Sequence, residues 1–180
     1  GMVLIDAVVD ASEVTISDIS STYAAGVIWL EDSVLDAAAL SIADVDGSRT
    51  YGGGLYALGS TITWDGGGVS RVEISEASSG YMGGALYLSE DTQLTGSSLT
   101  FTENVSGSGG AITAIESIVD LTDCTFEANE AEIAGGALYL SSSAEMTCTG
   151  CIFEDNVSEQ AGAVEIVAGA AYIDAGGVYT

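Results

Sequence analysis

The sequence predicts an all-β chain, a right-handed single-stranded parallel β-helix: a three-faced solenoid of about six coils of about 26 residues each. Three observations predict it. A Gly-Gly-Ala-Leu-like tetrad recurs at a near-constant interval, an apolar-then-polar unit keeps pace with it, and a weaker apolar stretch fills the rest of each period. All three alternate apolar and polar residues with a period of two, which is the signal of strands and not of helices.

The tetrads begin at Ala25, Gly52, Gly83, Gly109, Gly135 and Ala161, and their second residues fall at 26, 53, 84, 110, 136 and 162. The second unit is sharpest at Phe101-Thr102-Glu103-Asn104, Phe126-Glu127-Ala128-Asn129 and Phe153-Glu154-Asp155-Asn156, with weaker copies anchored on Ile16, Ile42 and Ile74. The third stretch is read at Ile62-Thr63-Trp64, Leu94-Thr95, Val119-Asp120-Leu121, Ala144-Glu145-Met146 and Tyr172-Ile173. One coil with three short strands cannot bury its own apolar side, so coils stack at about 4.8 Å and each covers the next. The longer interval between Gly53 and Gly84 calls for a few extra residues, and turn chemistry places them at Asp65-Gly66-Gly67-Gly68.

Parity assigns the faces. Leu99 and Phe101, Cys124 and Phe126, and Cys151 and Phe153 point inward, so phenylalanine stacks on phenylalanine. On the next strand Leu86 and Leu88, Ile112 and Ala114, Leu138 and Leu140, and Val164 and Ile166 point inward. A slip of one residue would reverse both faces, which pins the register. Gly84, Gly110 and Gly136 occupy one corner, where a positive φ or close backbone stacking excludes a side chain. Asn104, Asn129 and Asn156 occupy the preceding corner and are expected to form an amide ladder. Asn104-Val105-Ser106 and Asn156-Val157-Ser158 also match the glycosylation sequon, but a buried ladder asparagine is out of reach of the modifying enzyme.

The pairing of Phe-x-x-Asn with Gly-Gly-Ala-Leu/Ile resembles the repeats of chlamydial polymorphic outer-membrane proteins and related β-helix repeats of large secreted bacterial proteins. Phe101 to Asn104 with Gly109 to Ile112, Phe126 to Asn129 with Gly135 to Leu138, and Phe153 to Asn156 carry it. The first three coils depart from it, with Ile19, Val45 and Ala77 where asparagine is expected. The resemblance implies a surface-exposed passenger or adhesin, extracellular or on the outer cell surface, whose partner is a surface protein or glycan of a host or neighbouring cell.

Charge narrows the partners further. There are 27 acidic residues against Arg49 and Arg71, no His, and a net charge of −25. Such a surface has nothing with which to neutralise phosphates, so nucleic acid and anionic membranes are excluded as partners. Hydrophobic residues make up 47% of the chain, too many for a disordered acidic tail. No apolar run approaches the roughly 20 residues of a membrane-spanning helix. Residues 1–180 read as one domain, and the pattern is cut at Gly1-Met2-Val3-Leu4 and Val178-Tyr179. A piece of a longer repeat protein, or self-association end to end or side to side, is therefore expected.

Three groups of residues are candidates for chemistry. Cys124 and Cys151 share an inward column, while Cys148 and Cys151 have Cys-x-x-Cys spacing. The preferred reading is buried thiols packing as small apolar groups, followed by a Cys148–Cys151 disulfide and then by catalysis. An acidic column runs Asp18, Asp44, Glu76, Glu103 and Asp155, with a gap at Ala128. Stacked like charges repel, and Ca²⁺ is the one cofactor such a column could take; an exposed, salt-screened column is preferred, and otherwise no cofactor is expected. Trp29, Tyr56, Tyr87 and Tyr139 form an outward aromatic strip, interrupted by Thr113 and ending at Glu165. Such a strip suits stacking on a sugar or packing against a protein.

Enzymes that cleave or hydrolyse polysaccharides also use this fold, so function has to be argued from the site. No catalytic residue can be named, because without His or Lys there is no nucleophile–base pair and only two arginines could serve a lyase. The expectation is a non-catalytic binding scaffold, with a polysaccharide-active enzyme or a carbohydrate-binding β-helix as the alternative.

Overall fold

Short apolar–polar segments separated by single turn residues can satisfy their backbone groups only by pairing with a neighbouring coil. They do so throughout. The computed structural model describes residues 1–21, 26–48, 51–75, 81–160 and 162–179, and among them every strand pairing is parallel. Met2–Ile5, Ile28–Glu31, Leu55–Leu58, Leu86–Ser89, Ile112–Ile115, Leu138–Ser141 and Val164–Ile166 stack in that order as a seven-stranded sheet, the leucine face. A second face stacks Val8–Ser12, 34–38, 61–65, 93–97, Ile118–Thr122, Glu145–Thr149 and Ala171–Ala175. The phenylalanine face stacks 15–17, 41–43, 68–70, 100–102, Thr125–Glu127, Ile152–Glu154 and Val178–Tyr179. A short fourth side, from 19–21 to Val157–Ser158, closes each coil. The result is a right-handed β-solenoid of about 6 coils.

The interior is the sum of the inward columns. Ile42, Val69, Phe101, Phe126 and Phe153 lie above one another, and each is at most 1% exposed. The rings of Phe101 and Phe126 stack at 5.0 Å, Phe126 and Phe153 at 4.7 Å, and Phe153 and Tyr179 at 4.9 Å. The leucine face contributes Ile28, Leu55, Leu86, Ile112 and Leu138 in one buried column. Burying each such side chain stabilises the fold by roughly 1.5–3 kcal/mol. The parity of the sequence reading holds, although Ile166 is 44% exposed because no described coil covers its end of the stack.

The phase of the third coil differs from expectation. Its anchor is Val69, which pairs with Ile42 and Phe101, whereas Ile74 pairs with Gly47 on the fourth side. Asp65-Gly66-Gly67-Gly68 is no inserted loop: Asp65 pairs with Ser97, Gly67 with Leu99 and Gly68 with Thr100. Glu73 is opposite Val105 while Met82 is opposite Ser108, so the extra residues enter between 73 and 82, a stretch that includes undescribed residues 76–80. A Gly-rich run suggested a loop because glycine is permissive; here it lets the second and phenylalanine faces approach their neighbours closely.

Two columns of corners are made by single residues with positive φ. Glu13, Ala39, Gly66, Ser98, Asp123, Gly150 and Gly176 form one such column, and Asp18, Asp44, Arg71, Glu103, Ala128 and Asp155 another. One left-handed residue bends the chain from strand to strand without breaking the pairing on either side. Among the described residues, eleven of the eighteen non-glycine positions of this kind are Asp or Glu. Aspartate tolerates the left-handed region better than most residues, and a corner faces water, so part of the acidity follows from the geometry.

Two ladders satisfy the polar groups beneath the corners. Asn104 Nδ2 donates to Asn129 Oδ1 at 2.9 Å, and Asn129 Nδ2 donates to Asn156 Oδ1 at 2.9 Å. The same oxygens accept from the backbone amides of Asn104 and Asn129, and Asn104 Oδ1 accepts from the Val72 amide at 3.2 Å. Val72, not Ala77, thus occupies the third-coil position, and Ala77 lies outside the described residues. The second ladder is of hydroxyls: Ser33 Oγ accepts from the Ala7 amide, Ser60 Oγ from Ser33, and Thr92 Oγ1 from Ser60.

The tetrad glycines divide the work expected of each one. Gly109, the first of its pair, carries φ +64°, whereas Gly110 has no positive φ, and a Cβ there would collide with the carbonyl oxygen of Gly136. Gly84 meets Gly110 in the same way.

Replacing Asn129 by Ala leaves two donors on Asn104 without an acceptor and should cost about 3 kcal/mol in urea unfolding, at 1–3 kcal/mol for each unmet group. Asn156→Ala, at a half-buried position, should cost less. Gly110→Ala should destabilise more than Gly66→Ala, where the left-handed backbone alone is penalised, by about 1–2 kcal/mol, and nothing lies within 4 Å.

Candidate functional site

The outward positions of the leucine face come from the same parity that builds the core. Trp29 pairs with Tyr56, Tyr56 with Tyr87, Tyr87 with Thr113, and Thr113 with Tyr139. The rings of Trp29 and Tyr56 lie 5.0 Å apart and tilted, and those of Tyr56 and Tyr87 stack at 5.1 Å with a 6° interplanar angle. Tyr51, from the turn before Leu55, packs edge-on to Tyr81 and to Tyr87, each at 5.2 Å, and also meets Tyr56 at 6.5 Å.

The expected four-residue strip is therefore a five-ring patch. Thr113 is fully buried, its hydroxyl donating to the Ser108 carbonyl at 2.9 Å, and it separates Tyr139 from the other rings. Tyr51 and Tyr81 were not legible as members, since they sit in turns outside the strand periodicity. Burial, then the charge of Glu90, pushes the Tyr56 phenol above its ordinary range, and burial does the same to Tyr87, so both stay neutral donors at physiological pH. Trp29 Nε1 is buried with no acceptor among the described residues. Trp64, by contrast, faces inward and donates to the Leu40 and Gly66 carbonyls.

The acidic column is broken by a cation of the chain itself. Asp18, Asp44, Glu103 and Asp155 stand at equivalent corners, but Arg71 fills the third-coil position; Glu76 lies outside the described residues. Arg71 donates to both Asp44 carboxylate oxygens, at 2.6 and 2.8 Å. That fork holds the Asp44 carboxyl below the usual range, and Glu103 and Asp18 act on the arginine from either side. Among the described residues no cluster of three or more Asp, Glu, Cys or His has a metal-holding arrangement. Two sides of the third coil carry an apolar anchor, Val69 on the phenylalanine face and Ile74 on the fourth side, and pairing with Ile42 and Phe101 puts Val69, and with it Arg71, in phase with the column.

Cys148 and Cys151 are joined in a disulfide across the Gly150 corner, with Cα atoms 5.7 Å apart. This corrects the preferred reading of three free thiols. Cys124 alone is free; it is buried, and burial pushes its thiol up, away from a reactive thiolate. Two open depressions of ≈ 470 Å³ each lie along the sides. Asp91, Glu116 and Glu145 line one, and Glu130, Glu132 and Glu159 the other.

Removing the fork by Arg71→Gln should lower the melting temperature at neutral pH and low salt. Because the folded Asp44 carboxyl titrates below its unfolded value of about 3.9, the fork's contribution is present above that pH and fades as pH falls through the folded value. The gap between wild type and variant in a pH series of thermal melts should therefore close in acid.

No curated protein and no solved structure matches the chain. A family model described as "Right handed beta helix region" matches residues 4–177, which takes in every face and corner described above. The chain belongs to the right-handed β-helix family.

Proposed function

We propose that this chain is a non-catalytic binding scaffold displayed outside the cell, of the adhesin or passenger kind, and that its contact surface is the aromatic patch of the leucine face. The observation that carries this reading is the gathering of Trp29, Tyr51, Tyr56, Tyr81 and Tyr87 on one side of the solenoid. Core packing does not require outward rings, and large aromatics are prominent in interfaces, where they provide area at little conformational cost. A rigid stack of coils holds them in a fixed spacing and so limits what is lost on binding. Resemblance of the Phe-x-x-Asn and Gly-Gly-Ala-Leu units to polymorphic outer-membrane protein repeats supports the surface setting.

A polysaccharide-active enzyme is the second reading, and the carboxylate-lined depressions are what favour it. Hydrolysis by two carboxylates would draw on the acids that line one depression, Glu116 and Glu145 among them. A lyase would need a free base, and Arg71 is engaged by Asp44.

Binding of the labelled protein to a glycan array and to cultured cells tests the first reading. Tyr56→Ala with Tyr87→Ala should reduce binding at least tenfold while leaving the melting temperature within a few degrees of wild type. Undiminished binding by the double variant rules the patch out, and turnover of a polysaccharide lost in Glu116→Gln would favour the enzyme.

A further inference from the structure

The patch has a charged margin. Glu31 ends the strand that carries Trp29, and it pairs with Leu58, which pairs in turn with Ser89, the residue before Glu90. Glu31 and Glu90 therefore lie two coils apart, about 9.6 Å at the 4.8 Å strand spacing, at the end of the strands opposite Tyr51 and Tyr81. After burial, both carboxylates push the Tyr56 phenol up, Glu90 more than Glu31. No lysine exists anywhere in the chain, and of the two arginines Arg71 is tied to Asp44 at a different corner, while Arg49 lies outside the described residues. The rings and the two carboxylates thus share one side of a chain of net charge −25.

We infer that this patch takes a cationic protein segment, and arginine side chains in particular. The inference rests on the patch being the contact surface. A guanidinium is planar and weakly hydrated; it stacks on an aromatic face while its edge donates in a fork to a carboxylate. The rings lie 5.0 and 5.1 Å apart along the solenoid. Alternate side chains of an extended peptide recur about every 6.6 Å, so two alternate arginines fit within the length of the row from Trp29 to Tyr87. Anionic glycans are repelled by the same field, and neutral ones bring no counter-charge to Glu31 and Glu90.

The test is a titration at physiological salt, read by tryptophan emission, with nona-arginine, nona-lysine and a neutral hexasaccharide such as cellohexaose as probes. Trp29→Phe identifies the emission that belongs to the patch, since Trp64 is buried away from it. Nona-arginine should bind, and nona-lysine at least fivefold more weakly. Glu31→Gln with Glu90→Gln should raise the nona-arginine Kd at least tenfold. Glu130→Gln with Glu159→Gln removes the same charge from the fourth side of the solenoid and should change it less than twofold. Equal weakening by the two pairs overturns the inference, because the binding is then general attraction to a polyanion; so does binding that survives Tyr56→Ala with Tyr87→Ala, or no binding of nona-arginine. Cellohexaose binding that is lost in the tyrosine variant but indifferent to Glu31→Gln with Glu90→Gln keeps the patch as the contact surface and overturns its cationic partner.

Discussion

Everything in this molecule depends on residues one coil apart lying directly over each other. Parallel pairing on three of the sides keeps every coil in step within its strands, the fourth side carrying one register shift between Ser106–Ser108 and Ala131–Ala134, and a change of direction must fit between two strands. The left-handed corner residue meets that demand. Glu13, Ala39, Gly66, Ser98 and Asp123 each turn the chain in one step, so the pairs before and after them stay in register. Each non-glycine corner is penalised by about 1–2 kcal/mol, which the stacked core and the unbroken parallel pairing offset.

From that constraint the columns follow. Identical positions stack identical chemistry, which is favourable for Phe101, Phe126 and Phe153 and for the amides of Asn104, Asn129 and Asn156. It is unfavourable for carboxylates, and the chain meets the difficulty by leaving its acids at solvated corners and setting Arg71 between Asp44 and Glu103. The disulfide fits the same scheme, since Cys148 and Cys151 flank a corner glycine and tie the second face to the phenylalanine face.

The outward aromatic patch is a by-product of the register. An outward residue costs the core nothing, so its identity is free to serve binding. Trp29, Tyr56 and Tyr87 are carried at one-coil spacing by a backbone held on both sides. Tyr51 and Tyr81 then widen the stack from the turns that lead into the leucine face. In the proposed binding role, rigid spacing of this kind would give an extended partner several contacts in a row.

The sequence alone determined the period, the parallel stacking, the inward and outward parity of the leucine and phenylalanine faces, and the asparagine ladder. These are properties of a repeat, visible wherever like residues return at equal intervals. Tertiary structure decided what a repeat leaves open. In the third coil both Val69 and Ile74 are apolar anchors, and only pairing with Ile42 and Phe101 selects Val69; Arg71, not Glu76, then enters the acidic column. Whether Cys148 meets Cys151, and whether Tyr51 and Tyr81 reach Tyr87, depends on the path of a turn, and turns carry no period from which to read it.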